Sequence, residues 1–165
     1  MEARVKLMGH PVHQMLVVFP VGLLGMSVIF DLVYFATNEQ VFEVVAYWMM
    51  VSGIVSGLLA APFGLADWTK IPKDTRAKRV GAVHGIGNVV VVLLFIASVW
   101  LRDDAMAVPS TAAYVCSFLG LGLALVTAWL GGELVDQLGI GVRENANVDA
   151  PSSLSRTQQT AHRTG

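Results

Sequence analysis

The chain has 165 residues, of which 55% are hydrophobic and 14% are charged, whereas a soluble domain usually has about 45–50% and about 25%. The formal net charge is −1 at pH 7, and Cys116 is the single cysteine. These values exclude an ordinary water-soluble domain and an intrachain disulfide, and they give no sign of a nucleic-acid partner. They indicate a chain that places much of its surface in a lipid bilayer.

Four apolar segments are long enough to cross a membrane as helices. A bilayer core about 30 Å thick requires about 20 apolar helical residues, and the predicted spans are residues 15–36, 41–66, 81–101 and 111–134. The first run is longer than the apolar core of a signal peptide and lacks a small-residue cleavage site, so we interpret it as a retained span. Short loops join the first span to the second and the third to the fourth, which predicts two helical hairpins.

The sequence therefore predicts an all-α, integral membrane four-helix bundle in residues 1–142. A polar segment, residues 143–165, follows it and lacks apolar periodicity, so we expect a disordered tail in which His162 is a solvated bystander. The loop between the second and third spans is rich in lysine and arginine, whereas the two loops on the other side contain a single basic residue, Arg102. Basic loops stay on the cytoplasmic side, which predicts an inner-membrane protein with both termini in the cytoplasm.

The two hairpins show a weak internal repeat. The second and fourth spans align at a constant offset, which matches Gly53 with Gly120 and Gly64 with Gly131. The first and third spans align at a similar offset, which places His13 on His84. The pattern predicts two hairpins in the same orientation, related by a pseudo-twofold axis along the membrane normal.

Ionisable side chains are expected to meet at the cytoplasmic end of the bundle. His10 and His13 stand at the start of the first span, Asp67 at the end of the second, His84 near the start of the third and Glu133 at the end of the fourth. Such groups within a membrane usually face the protein interior and mark functional sites. The three- and four-residue spacings place His10, His13 and Gln14 on one helical face, and Asn88 lies one turn deeper than His84.

Three uses of this cluster remain open. Imidazole and carboxylate groups suit Zn, Cu, Fe or Ni, with His10, His13, Asp67, His84 and Glu133 as metal ligands or as the groups that orient them. Alternatively, His13 and His84 are the axial ligands of haem b, or the cluster relays protons. Asp31, near the other end of the first span, pairs with Arg102, lines a polar path or only anchors the end of its helix.

These uses correspond to three hypotheses for function. The first is a metal- or haem-binding protein that works with a redox partner protein, the second a small transporter or proton-coupled module, and the third a structural or assembly subunit. The sequence identifies no reaction, because it contains no phosphate loop, dinucleotide fingerprint or nucleophile elbow.

Four sequence motifs resemble a known bacterial family. GHPVHQMLVVFPVGLLGMSVIFDLV (residues 9–33) is similar to the opening of the membrane family catalogued as domain of unknown function 2231, and GLADW (64–68), HGIGN (84–88) and GGELVDQLGIGV (131–142) also fit. The resemblance covers residues 9–142 and implies a four-span bacterial membrane protein. Relatives joined to Rieske-type iron–sulfur domains imply a redox setting, which carries over to this chain as an analogy.

Overall fold

A computed structural model describes residues 1–106 and 108–154 of the protein. Four helices within these residues are long and apolar enough to cross a membrane, namely Val12–Thr37, Val41–Lys70, Arg76–Trp100 and Thr111–Gln137. This result confirms the predicted all-α, four-span architecture. The second span is longer than predicted. Its helix ends at Lys70 and not at residue 66, so it includes the polar residues Asp67 and Thr69. The end of the predicted tail, residues 155–165 with His162, lies outside the described part of the chain.

Proline and hydroxyl side chains define several helix boundaries. The first span consists of two helices, Val12–Leu16 and Val18–Thr37, because Pro20 has no N–H to donate to the carbonyl four residues earlier. Pro62, in contrast, lies within the continuous helix Val41–Lys70.

The third and fourth spans start at hydroxyl caps, since the side chains of Thr75 and Ser110 accept backbone N–H groups at 3.1 and 3.2 Å. The fourth span consists of an α-helix, Thr111–Gly132, and a π-helical turn, Glu133–Gln137.

A short β-hairpin precedes the first span. Lys6–Leu7 pairs with His10–Pro11 in antiparallel register, and the turn between them has positive φ angles at Met8 and Gly9, as tight hairpin turns require. His10 thus belongs to a strand. The prediction that His10 shares a helical face with His13 is wrong, because the Met8–Gly9 turn gives His10 an extended partner before the helix begins.

The four spans pack as a bundle of two hairpins. The second span also contacts the third, and the first contacts the fourth, so the first and third spans lie diagonally across the bundle. The buried core contains Leu24, Val28, Met50, Ile54, Val91 and Phe95. Large apolar side chains on the outward faces, such as Leu59, Val89 and Leu125, are more than half exposed. A membrane protein presents such faces to lipid.

Equivalent contacts in the two hairpins support the predicted repeat. A Cβ atom at Gly53 would lie 2.6 Å from Leu24, and one at Gly120 would lie 2.9 Å from Phe95. Leu24 and Phe95 are related by the same sequence offset that relates His13 to His84. The small residues of the second and fourth spans therefore admit a bulky side chain from the partner helix of the same hairpin.

We predict that Gly120→Ala destabilises the bundle by about 1–3 kcal/mol, because the added methyl group overlaps the ring of the fully buried Phe95. Gly122→Ala is the matched control on the same helix, since a Cβ there meets no atom within 4 Å. Thermal unfolding of both variants in detergent tests the prediction. Equal midpoints for the two variants would contradict the packing described for Gly120.

Candidate functional site

His13 and His84 occupy equivalent places at one end of the bundle. The Nδ1 atom of His13 lies 3.1 Å from the carbonyl oxygen of Ala60, and that of His84 lies 2.9 Å from the carbonyl oxygen of Thr127. Ala60 and Thr127 are themselves related by the offset that matches Gly53 with Gly120. Since a carbonyl only accepts hydrogen bonds, Nδ1 carries a proton in both rings, and in the neutral form of each ring the lone pair lies on Nε2.

A glycine on the neighbouring helix makes room for each imidazole. A Cβ at Gly64 would lie 2.7 Å from Cε1 of His13, and a Cβ at Gly131 would lie 3.1 Å from Cε1 of His84. Each imidazole therefore lies in the same way against the partner helix of its own hairpin.

The surroundings of the two Nε2 atoms differ. Nε2 of His84 lies 3.2 Å from the side-chain nitrogen of Asn88, whose oxygen accepts the Thr127 hydroxyl group at 3.2 Å. The position equivalent to Asn88 in the first hairpin is Val17. Nε2 of His13 makes no hydrogen bond with any residue that the structure describes, so its lone pair is available to a ligand.

The predicted carboxylates at this end are bound to other groups. Asp67 accepts the backbone N–H of Arg4 at 2.6 Å, and Glu133 forms an ion pair with Arg76 at 2.5 Å. Within residues 1–106 and 108–154, no group of three or more His, Cys, Asp or Glu side chains is placed to hold a metal ion. The five predicted metal ligands thus do not form one cluster in this structure.

His10 lies apart from the histidine pair. Its Nε2 atom is 3.2 Å from Oγ of Ser153, and it lines a cleft together with Glu2 and Lys6. The Lys6 ammonium group hydrogen-bonds to Glu2 and lowers the pKa of that carboxyl group. This cleft is formed by the two ends of the described chain and not by the spans.

A second polar cluster lies at the opposite end of the bundle. Nη2 of Arg102 donates to Oδ2 of Asp31 at 2.7 Å, and Nη1 donates to Oε2 of Glu43 at 2.9 Å. All three side chains are at most 1% exposed. The Asp31–Arg102 pair is one of the three alternatives predicted for Asp31.

The fourth span completes this ion cluster, which we define as Asp31, Glu43, Arg102, Tyr114 and Ser117. The Tyr114 hydroxyl group donates to Oε1 of Glu43 at 2.5 Å, and the Ser117 hydroxyl group lies 3.2 Å from Oδ2 of Asp31. Sequence reasoning missed Glu43, which lies in the first turn of the second span, where an acidic residue is common. Arg102 could have indicated Glu43, because it is the single basic residue of the two short loops and needs acidic partners at the same depth.

Comparison with protein families matches residues 9–144 of the chain to the family described as "Predicted membrane protein (DUF2231)". The chain belongs to the DUF2231 family. The match contains all four spans, the histidine pair and the whole ion cluster, so both sites lie within the DUF2231 domain. Comparison of the chain with curated proteins and with solved structures found no match.

We predict that Arg102→Met destabilises this DUF2231 protein by about 3–5 kcal/mol, because it leaves the buried acids Asp31 and Glu43 without their cation. Arg76→Met is the matched control, since the Arg76 side chain is 56% exposed and its pair with Glu133 contributes at most about 1 kcal/mol. Unfolding by a denaturing detergent in mixed micelles measures both. Equal stability of the two variants would show that Arg102 does not hold the bundle together.

Proposed function

We propose that this membrane protein binds one transition metal ion, or the iron of haem b, between His13 and His84, and that it works in a redox setting. The observation that carries the proposal is the equivalent anchoring of both imidazoles through Nδ1 to a backbone carbonyl. Metal-ligating histidines usually donate their second N–H to a carbonyl or carboxylate, which orients the ring and directs the other nitrogen to the metal.

The diagonal position of the two spans supports a shared ligand. His13 and His84 would hold a metal ion or haem iron near the pseudo-twofold axis, with one imidazole from each hairpin. Fe, Cu and Zn all accept imidazole nitrogen. At His84, metal binding through Nε2 would require Asn88 to give up its contact with that atom.

The remaining predicted ligands take outer positions in this proposal. His10, Asp67 and Glu133 are held by Ser153, Arg4 and Arg76, respectively. We propose that Asp67 and Glu133 provide negative charge near the site without contacting the metal. The bound group would supply electron transfer with a redox partner protein.

We predict that protein purified in detergent contains haem, seen as a Soret band, or one equivalent of transition metal by elemental analysis. The double variant His13→Ala, His84→Ala loses that signal, because it removes both Nε2 ligands. His10→Ala is the control and keeps the signal, since His10 lies in the cleft near Ser153. Folded wild-type protein that contains neither haem nor metal, even after growth with both supplied, would overturn the proposal.

We also propose that both termini and the basic loop lie in the cytoplasm, as the concentration of lysine and arginine in that loop supports. In a Cys116→Ala background, single cysteines replace Glu39 and Lys73, which are exposed in loops at opposite ends of the bundle. A membrane-impermeant maleimide added to cells whose outer membrane is permeable should label Glu39→Cys at once, and Lys73→Cys only after lysis. The reverse order of labelling would contradict the proposed orientation.

A further inference from the structure

The ion cluster contains one more acid than base. Asp31 and Glu43 share a single guanidinium group, that of Arg102, and each of the three side chains is at most 1% exposed. If both acids were ionised, the cluster would carry one uncompensated negative charge in surroundings that solvate charge poorly. The cluster therefore requires one further positive charge.

Among residues 1–106 and 108–154, no other cation is positioned to supply that charge. The fourth span contributes only the neutral Tyr114 and Ser117 to the cluster, and the loops 38–40 and 101–110 contain no basic residue besides Arg102. Asp103 and Asp104, next to Arg102, are acidic and exposed. The extra positive charge thus comes from a bound species.

Hydrogen bonding indicates which oxygen atom binds it. Both carboxylate oxygens of Glu43 accept a donor, one from Arg102 and the other from Tyr114. For Asp31, Oδ2 accepts Arg102, whereas Oδ1 is buried and has no partner. Oδ1 is also the only buried side-chain nitrogen or oxygen without a partner in the described parts of the chain. Oδ1 of Asp31 is therefore the carboxylate oxygen of the ion cluster at which the additional positive charge can bind.

We propose that Asp31 binds one proton on Oδ1 at neutral pH, so that the cluster consists of a neutral aspartic acid beside a Glu43–Arg102 ion pair. Hydronium in the water at the membrane surface supplies the proton: one O–H bond of the hydronium ion breaks, one O–H bond forms at Oδ1, and neutral water remains. A proton requires a single oxygen atom, whereas a metal cation requires several oxygen atoms arranged around it. The proposal is independent of metal binding, since His13 lies at the other end of the first span.

Infrared spectroscopy of the purified protein in lipid at pH 7 tests this site. A protonated carboxyl group has a C=O stretching band well separated from that of a carboxylate, and exposed acids are ionised at this pH. We expect one such band, which shifts in D2O and shifts again when aspartate alone is labelled with carbon-13. Absence of the band, or a shift with labelled glutamate alone, would overturn the assignment to Asp31.

Two variants and a control connect the band to the charge balance. Asp31→Asn removes the band and folds, because the neutral amide resembles the protonated acid in charge and shape. Glu43→Gln also removes it, since Arg102 then faces one acid and Asp31 ionises. Asp103→Asn, the exposed control, keeps the band. Retention of the band in Asp31→Asn would show that another group carries the proton.

Buffers that contain sodium or potassium distinguish a proton from a metal cation. We expect the same band in both, because a proton on Oδ1 leaves no carboxylate for Na+ to bind. A band that appears only in the absence of sodium would overturn the proposal in favour of a sodium site at Asp31.

Discussion

One buried guanidinium group connects three of the four spans. Arg102, just beyond the end of the third span, reaches Asp31 in the first and Glu43 in the second, and Tyr114 of the fourth span closes on Glu43. Since the bilayer core offers no water, each of these groups must be satisfied by another part of the protein. This requirement brings the ends of all four helices together and determines how the two hairpins face each other.

The two hairpins repeat the same packing contacts, whereas the polar side chains around their histidines differ. Glycines at equivalent places admit Leu24 and Phe95 in the same way, and both histidines bind a carbonyl on the partner helix. The second half alone places Asn88 beside its histidine. A symmetric frame thus presents two unequal imidazoles, one with its Nε2 atom hydrogen-bonded and one without such a partner among the described residues.

The sequence predicted the four spans because the bilayer sets the length of each apolar run, and the two offsets anticipated the equivalent places of His13 and His84, each against a carbonyl of its partner helix. It did not predict the strand at His10, which depends on a two-residue turn, or the extension of the second helix into polar residues. It also could not place Asp67 and Glu133, because several cations lie within reach of each acid. Choosing between these partners requires the backbone geometry. The sequence did not identify Glu43 as a partner of Arg102, because an acidic residue in the first turn of a helix is common without any buried ion pair.

Asp31 and Arg102 stand at equivalent positions of the repeat, in the same relation as His13 and His84, and one is an acid whereas the other is the base that it contacts. Two copies of the first hairpin, joined by the same twofold relation, would bring aspartate against aspartate, and two copies of the second would bring arginine against arginine. Neither arrangement would place an acid beside a guanidinium group, so buried polar groups would lack the partner that Asp31 and Arg102 give each other. The contact between the two hairpins is therefore specified by these two unlike residues as well as by the loop that connects the hairpins.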